Sequence, residues 1–159
     1  MNKTYLLLGS NIGNSKASLA KALRQIEKKI GTVTRQSGLY STVAWGNTRQ
    51  PDFLNQVIIV ETKLNAAETM QTILYIEKKM GRIRTVKNAP RIIDIDILFF
   101  NKKIIDQPEL TVPHPQIQNR RCVLIPLNQL SPNLKHPGLK KTVHQLLMHC
   151  PDKLHVKKF

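Results

Sequence analysis

The sequence predicts an α+β fold in which strand-like and helix-like segments alternate within one domain. The chain has 159 residues, a length that can bury a core without disulfides or a structural metal. Runs of β-branched and aromatic residues alternate with segments whose apolar residues recur at helical spacing. Prolines and glycines separate short elements, and no interdomain linker is evident. We therefore expect a single domain over residues 1–159.

The first half of the chain predicts a strand, a helix and two further strands. A buried strand is expected over Tyr5–Gly9, and a helix with one apolar face begins near Ser15. Gly31 is expected to end this helix in a left-handed conformation. The β-rich segments Val33–Thr42 and Phe53–Thr62 predict two strands that are joined by a long loop.

The middle of the chain predicts a helix followed by a strand of strict alternation. Asn65 and Glu68 have the spacing of a capping box, and the apolar face that follows ends at Gly81. In Ile93–Ile97 three isoleucines alternate with two aspartates, so the isoleucines share one face of a strand and the carboxylates share the other.

The order strand, helix, strand, strand, helix, strand is the split βαβ arrangement of ferredoxin-like folds. A proline-rich loop follows, and then two helices are expected, around Cys122–Leu130 and near Thr142–Cys150. The predicted fold class is therefore α+β, with a ferredoxin-like βαββαβ core and additional C-terminal helices.

The charge of the chain leaves two classes of function open. Lys and Arg number 25 against 10 Asp and Glu, which gives a formal net charge of +15. The charge is spread along the chain, so a basic solvated surface is the simpler interpretation and an RNA-binding domain is the alternative. The sequence has only four Phe, three Tyr and one Trp, without the aromatic pattern of RNA-binding sheets, and this disfavours the alternative.

The cellular location is predicted from absent signals. The two cysteines form neither a disulfide framework nor a zinc spacing. The apolar run Tyr5–Leu8 is too short for a signal peptide or a membrane span. We expect a cytoplasmic protein.

Asp94 and Asp96 form the first candidate site. They lie about 7 Å apart along the strand and point the same way, given a rise of about 3.3 Å per residue. Carboxylates so placed can share Mg²⁺ with substrate phosphates, because Mg²⁺ completes its octahedron with water and phosphate oxygens. A solvated polar face of the strand is the alternative interpretation.

Basic residues precede this carboxylate pair. Arg82 and Arg84 share a side if the backbone is extended, and Arg91 lies close to the aspartates in sequence. The planar guanidinium group of arginine can donate two hydrogen bonds to phosphate oxygens, so these residues predict a nucleotide site. The alternative interpretation is that they are cations favoured near a helix C-terminus. Glu77 and Lys87 lie in the same stretch.

Two further clusters complete the candidate chemistry. His114 is held between two prolines and is followed by Arg120, which suits an imidazole directed at phosphate, although loop histidines are also often solvated. Phe53 and Asn55 face the same side of a strand, where a ring can stack on a flat heterocycle and an amide can bind its edge. A core Phe and a strand-end Asn are the alternative.

Two common catalytic devices are missing from the sequence. The segment Gly9–Lys16 lacks the Gly-Lys-Ser/Thr ending of a Walker A loop, and neither Cys122 nor Cys150 has a histidine at a spacing that indicates a nucleophile with its base. Arginines and metal ions would therefore have to handle any triphosphate, and catalysis through a covalent intermediate is disfavoured.

Taken together, these motifs resemble the 6-hydroxymethyl-7,8-dihydropterin pyrophosphokinase family of folate biosynthesis. The resemblance covers nearly the whole chain and rests on Gly9-Ser10-Asn11, Phe53-Leu54-Asn55, Glu77 with Gly81-Arg82-x-Arg84, Pro90-Arg91-x-x-Asp94-x-Asp96, and Pro113-His114-Pro115 with Asn119-Arg120. It implies a ferredoxin-like fold and an ATP-dependent diphosphokinase that transfers pyrophosphate to the pterin hydroxymethyl group and releases AMP.

The resemblance also implies a role for individual residues. Asp94 and Asp96 would hold two Mg²⁺ ions. The catalytic residues would be Arg82, Arg91, Asp94 and Asp96. The ATP-binding residues would be Glu77, Arg82, Arg84, Arg91, Ile97, His114 and Arg120. The pterin-binding residues would be Thr42, Val43, Trp45, Phe53, Asn55 and Asp94.

The family pattern further implies two closing loops, Gly46–Gln50 and Arg82–Ala89. The sequence departs from the family pattern at two positions: Ala89 replaces a glycine that usually precedes the Pro-Arg pair, and Cys122 replaces an aromatic residue that commonly sandwiches the pterin. We expect a monomer whose partners are ATP and the pterin, without nucleic acid or membrane. A metal-dependent phosphohydrolase that needs no pterin is a further alternative.

Overall fold

The computed structural model describes residues 1–42, 51–82 and 90–159. Its strands are β1 (Asn2–Ser10), β2 (Gly31–Gln36), β3 (Tyr40–Thr42), β4 (Phe53–Thr62), β5 (Asp94–Phe100), β6 (Ile105–Gln107), β7 (Leu110–Val112) and β8 (Val156–Lys158). Its helices are α1 (Ser15–Lys29), α2 (Ala66–Lys79), α3 (Arg121–Leu130) and α4 (Val143–Met148), with a short 3₁₀ turn at Ile117–Asn119.

A six-stranded antiparallel sheet organises the fold. Its order is β5-β1-β4-β3-β8. The strand β3 pairs with the first residues of β4, and β2 pairs with the last residues of β4 on the same side. The strands β6 and β7 form a separate hairpin. Because β1 lies between β4 and β5, residues at the end of β1 have a neighbour on each side. The prediction of a mixed α and β fold with C-terminal helices is confirmed.

Both faces of the sheet are covered by apolar side chains. Leu6 and Leu8 of β1 pack in a cluster with residues of α1 and α2. Tyr5 and Leu7 point the other way and pack in a cluster with residues of α3 and α4. Burial on both faces explains why β1 reads as a continuous apolar run and lacks alternation.

A bulge in β5 separates the part of the strand that carries Asp94 and Asp96 from the part that carries Phe99 and Phe100. Tyr5 pairs with Phe99 whereas Leu6 pairs with Ile97, so Leu98 is an extra residue. Leu98 and Phe99 both join the cluster on the α3 side, and Ile95 and Ile97 join the opposite one. By alternation, Asp94 and Asp96 therefore lie on the face that α3 covers.

The helix signals in the sequence are largely confirmed. The side chains of Asn65 and Glu68 form both hydrogen bonds of a capping box at the start of α2. Gly81 follows the helix with a φ of 91°, a conformation that side chains disfavour. The helix α1 begins at Ser15, and α3 and α4 lie within one or two residues of their predicted positions.

The predicted left-handed cap at Gly31 is wrong. The helix α1 ends at Lys29 with Ile30 as its C-cap residue, and Gly31 begins β2 opposite Thr62 without a positive φ. A glycine is needed there because a Cβ would collide with the carbonyl oxygen of Glu61. The single strand expected over Val33–Thr42 is also wrong, since it is divided into β2 and β3.

Two elements were not predicted. The hairpin β6–β7 lies within the expected proline-rich loop, and β8 extends the sheet beside β3 near the end of the chain. Within the described ranges, none of the helices has the length and apolar character that a membrane span requires.

Candidate functional site

The candidate site lies on the α3 face of the sheet, where β1, β4 and β5 run side by side. Gly9 of β1 pairs with Asn55 on one side and with Asp94 on the other. Gly9 leaves a gap between these side chains, since a Cβ at this position would lie 3.0 Å from Asn55 Oδ1 and 3.6 Å from Phe53 Cδ1. The glycine of the Gly9-Ser10-Asn11 motif thus brings an amide, a ring and a carboxylate close together.

The side of this gap towards β4 forms the neutral half of the site, which consists of Gly9, Thr42, Phe53 and Asn55. Thr42 pairs with Phe53 across β3 and β4, so their side chains share a face with Asn55. Asn55 Nδ2 donates to Thr42 Oγ1 at 3.2 Å, and both side chains are buried. The neutral half is therefore held by strand pairing and an uncharged hydrogen bond.

The side towards β5 forms the ionic half, which consists of Glu77, Arg82, Arg91, Asp94 and Asp96. Arg82 Nη1 contacts Glu77 Oε2 at 2.6 Å and Asp94 Oδ1 at 2.7 Å. Arg91 Nη1 contacts Asp94 Oδ2 at 3.2 Å. Burial lowers the pKa of Arg82, but the charges of Asp94 and Glu77 outweigh this and raise it above the ordinary value.

Glu77 connects the ionic half to the sheet through a hydrogen bond with the backbone of β5. Its side chain is only 2% exposed, and Oε2 accepts the backbone N–H of Ile95 at 2.8 Å as well as the bond from Arg82. The helix α2 thereby positions an arginine over the carboxylate strand. The ATP-binding role predicted for Glu77 remains a prediction; its observed contacts orient Arg82.

Asn11 is a positioning residue to which the sequence analysis gave no role. Its backbone N–H donates to the carbonyl of Arg91 at 3.0 Å, and its Oδ1 accepts the N–H of Arg91 at 2.8 Å. Its Nδ2 donates to the carbonyl of Pro51 at 3.1 Å. Asn11 therefore fixes the backbone of Arg91 against the start of β4, and its place in the Gly9-Ser10-Asn11 motif is the signal that could have indicated this.

Electrostatics link Asp96 to the other predicted nucleotide ligands. Burial and the charges of Asp94 and Glu77 raise the pKa of Asp96 to about 7, and Arg120 opposes this rise. Burial lowers the pKa of His114, and Arg120 lowers it further. Arg120 and His114 thus share one electrostatic environment with the aspartates, although they lie far from them in sequence.

The carboxylate pair fits a divalent cation. In the ionic half three carboxylates face two arginines, and the pKa of Asp96 is raised first by burial and then by the negative charges of Asp94 and Glu77. In the described parts of the chain, no group of three or more His, Cys, Asp and Glu side chains could hold a metal by itself. Two carboxylates suit Mg²⁺ bound together with phosphate, because this ion takes most of its oxygens from water and substrate.

A cavity of about 190 Å³ adjoins Asp96 on the outer side of β5. It lies between α2, β5 and the β6–β7 hairpin, so a hairpin that was not predicted forms one of its walls. Two predicted ATP ligands, Ile97 and His114, line it. The other lining residues are Met70, Pro108, Glu109, Leu110, Thr111 and Pro115.

Some of the predicted positions cannot be compared with the structure. Val43, Trp45 and Arg84 lie outside the described residues, as do Lys87 and Ala89 and most of the two predicted closing loops. Cys122 is described: it is buried in the first turn of α3, and burial raises the pKa of its thiol.

A sequence model of the 7,8-dihydro-6-hydroxymethylpterin-pyrophosphokinase family matches residues 5–132. The chain belongs to this family. The matched range contains every residue of the neutral and ionic halves, together with His114 and Arg120. The predictions of a pyrophosphokinase in folate biosynthesis, and of an enzyme, are confirmed.

This chain is similar both to curated relatives that it covers over most of their length and to a much longer one. The 2-amino-4-hydroxy-6-hydroxymethyldihydropteridine pyrophosphokinase of Synechocystis is 39% identical over 88% of this chain and 72% of the relative. The protein of that name from Methylorubrum extorquens is 36% identical over 92% of each chain. The folic acid synthesis protein FOL1 of Dictyostelium discoideum is 34% identical over 95% of this chain, which spans only 23% of that longer protein.

Solved structures support the fold of this family member. Wild-type HPPK-DHPS of Plasmodium falciparum, crystallised with SDX-DHP, superposes with a TM-score of 0.74 at 21% identity. The alignment covers 93% of this chain and 43% of the Plasmodium chain. At this level of identity the likeness concerns the fold alone.

Proposed function

We propose that this chain transfers pyrophosphate from ATP to 6-hydroxymethyl-7,8-dihydropterin and releases AMP, with the reacting groups held between the ionic and neutral halves. The observation that carries the proposal is the position of Gly9, which pairs with Asp94 on one side and with Asn55 on the other. A pterin bound by the neutral half would therefore lie directly beside Asp94 and Asp96, the carboxylates that would bind phosphate through a metal ion.

The ionic half and its neighbours are assigned to the nucleotide. Arg82 and Arg91 would grip phosphate oxygens, and His114 and Arg120 would do so from the side of α3. In the structure Asp94 accepts from both Arg82 and Arg91. Binding would therefore exchange these contacts, so that the arginines turn to phosphate while Asp94 becomes available to a cation. The cavity beside Ile97 would receive the nucleoside.

Asp94 and Asp96 are assigned to two Mg²⁺ ions. Such ions, when bound with ATP, would neutralise phosphate charge and polarise the phosphorus that is attacked. Attack by a primary hydroxyl needs in-line positioning and charge neutralisation more than a covalent catalyst. Arg82 and Arg91 would add fixed positive charge where negative charge develops.

The neutral half is assigned to the pterin. The ring of Phe53 would stack on the flat heterocycle, and Asn55, oriented by Thr42, would bind its hydrogen-bonding edge. Asp94 would face the hydroxymethyl side. Roles for Val43, Trp45 and Arg84, and closure of the loops 46–50 and 82–89 over the substrates, belong to the same proposal and concern residues outside the described ranges.

We extend the proposal to the finer fold class and to the setting of the enzyme. The βαββαβ core is assigned to the ferredoxin-like type, which the order β5-β1-β4 with β2 and β3 beyond β4 supports. We further propose one domain over residues 1–159, a monomeric state, a cytoplasmic location, and no nucleic-acid partner.

Product analysis tests the proposed reaction. The chain is incubated with ATP, Mg²⁺ and the reduced pterin, and nucleotides and pterins are separated. We expect one AMP for each pterin pyrophosphate and no AMP when the pterin is omitted. ADP as the nucleotide product contradicts the proposal. Release of phosphate or pyrophosphate without pterin would instead indicate a phosphohydrolase.

A further inference from the structure

The start of α3 combines an important site residue with a poor helix cap. Arg120 occupies the N-cap position, with extended backbone angles, and makes no side-chain capping bond. Arginine has no acceptor oxygen for the free N–H groups of the first turn, and its charge is unfavourable at the positive end of a helix. Arg121 adds a second positive charge there, so this helix needs a cap from elsewhere.

Asp152 supplies that cap from a later part of the chain. Its Oδ2 accepts the backbone N–H of Arg121 at 3.0 Å. Its Oδ1 accepts the N–H of Leu154 at 2.9 Å, so both carboxylate oxygens have fixed partners. The carboxylate therefore provides the acceptor and the negative charge that the N-terminus of α3 lacks.

The segment that carries Asp152 is anchored on both sides. Cys150, two residues before it, is buried in the cluster on the α3 face. Val156 packs against the same cluster and pairs with Thr42 as β8 joins the edge of β3. The anchoring explains how a residue so close to the end of the chain can hold a helix terminus. Asp152 lies beyond residues 5–132, the range that the family model matches.

The other side of the α3 start is tied to the carboxylate strand. The N–H of His114 donates to the carbonyl of Leu98 in β5 at 3.0 Å, and the 3₁₀ turn then leads directly to Arg120. The backbone carbonyl of Arg120 accepts from Val123 and Leu124, which makes Arg120 part of the first helical turn. A displacement of this turn would move the Arg120 guanidinium relative to Asp96.

We propose that Asp152 is a positioning residue for pyrophosphoryl transfer, which caps α3 from the C-terminal segment and thereby holds Arg120 over the phosphate side of the site. The inference rests on the proposed function, because it assigns Arg120 to the nucleotide. The Asp152 carboxylate accepts from the backbone N–H groups of Arg121 and Leu154, so it acts through the backbone of Arg121.

Kinetics of three variants test this role. Asp152→Ala removes the cap, Asp152→Asn keeps an acceptor oxygen, and Thr142→Ala removes the capping bond at the start of α4 as a matched control. We expect Asp152→Ala to raise the KM for MgATP about tenfold, with a smaller change in the pterin KM, because small displacements of a binding group are costly. Asp152→Asn should recover most of the affinity. Thr142→Ala should lower the melting temperature similarly and leave both KM values unchanged.

A double-mutant cycle shows whether the effect passes through Arg120. On an Arg120→Ala background, Asp152→Ala should cause no further rise in the KM for MgATP. Additive effects of the two substitutions would overturn the inference. So would an Asp152→Ala enzyme with the KM values of the Thr142→Ala control.

Failure of the inference and failure of the proposed function are separable. A wild-type chain that forms no AMP refutes the proposed function. Hydrogen exchange of the ligand-free protein tests the cap without any activity: the amide of Arg121 should exchange faster in Asp152→Ala than in wild type or Thr142→Ala. Unchanged exchange at Arg121 would overturn the inference whatever the activity.

Discussion

The two halves of the site are held by different forces. In the ionic half, Arg82 bridges Glu77 and Asp94, and Arg91 adds a second contact to Asp94. In the neutral half, the pairing of β3 with β4 and one hydrogen bond between Asn55 and Thr42 fix the side chains. The first half is stabilised by charges that partner one another, and the second by backbone geometry.

This difference indicates two modes of binding. The neutral half already has its side chains in place, so a heterocycle can bind without breaking a charge pair. Under the proposed function, the ionic half would exchange contacts within the protein for contacts with phosphate and metal. Its residues would then contribute both to the stability of the free protein and to the binding of the nucleotide, whereas those of the neutral half would contribute mainly to recognition of the pterin.

The largest effect is expected when the ionic half loses a proposed metal ligand. Asp96→Ala should lower turnover by about 10³-fold or more, because the charge that holds the cation and phosphates is removed. Steady-state formation of AMP is the measurement. Asp106→Ala, which removes an exposed carboxylate on β6, is the control and should be near wild type. A near-normal rate for Asp96→Ala would remove this residue from the metal site.

A stability measurement compares the two halves directly. Glu77→Ala leaves the N–H of Ile95 without its acceptor and deprives the half-buried Arg82 of one carboxylate. We expect a loss of about 3 kcal/mol in the free energy of unfolding, as for one-sided removal of a buried ion pair. Asn55→Ala removes one neutral bond and should cost about 1 kcal/mol.

Urea unfolding of both variants measures this difference. Glu77→Gln is the control, since it keeps an acceptor for Ile95 and should recover part of the loss. Equal losses for Glu77→Ala and Asn55→Ala would show that the two halves do not differ in their contribution to stability.

A substitution at the boundary between the halves should affect only one substrate. Gly9→Ala places a Cβ 3.0 Å from Asn55 Oδ1, so the amide must shift. We expect the affinity for the pterin to fall about tenfold, or about 1.4 kcal/mol, with the KM for MgATP unchanged. Asn55→Ala should lower pterin affinity through the same amide, so the double variant should be less affected than the sum. An equal change for both substrates would contradict the division into halves.

The smallest effect concerns His136, a buried histidine outside both halves that serves as a reference. Its Nδ1 accepts the N–H groups of Gly138 and Leu139 at 3.1 and 2.9 Å, and burial lowers its pKa below the ordinary 6.5. Because the folded pKa is lowered, the unfolded chain takes up the proton first as the pH falls. The stabilisation is therefore complete above pH 6.5 and is lost below it.

Unfolding free energies between pH 5 and pH 8 test this sign. His136→Asn, whose Oδ1 can accept the same bonds without titrating, should show a shallower decline below pH 6.5. The pH dependence that remains should include His114, whose pKa burial also lowers, and Asp96, whose raised pKa of about 7 acts in the opposite direction. An identical pH dependence for wild type and His136→Asn would refute the assignment.

Local signals in the sequence were reliable where the cause is local. The capping box of Asn65 and Glu68 and the helix stop at Gly81 follow from the chemistry of neighbouring residues, and both are observed. The helix cap predicted at Gly31 was wrong, because a glycine is required there by the carbonyl oxygen of Glu61 on the neighbouring strand β4. The strand β8 and the hairpin β6–β7 were missed, because such short strands exist only through their partners.

The sequence by itself determined the chemistry of this protein: which residue types are present, their spacing along β4 and β5, and the family to which the motifs belong. Strand alternation alone placed Asp94 and Asp96 on one face. Only the tertiary structure decided that Gly9 separates Asn55 from Asp94, that Asn11 holds Arg91, and that Asp152 caps the helix of Arg120. These contacts join residues far apart in the chain, and their partners are set by sheet register and helix packing, which no local pattern encodes.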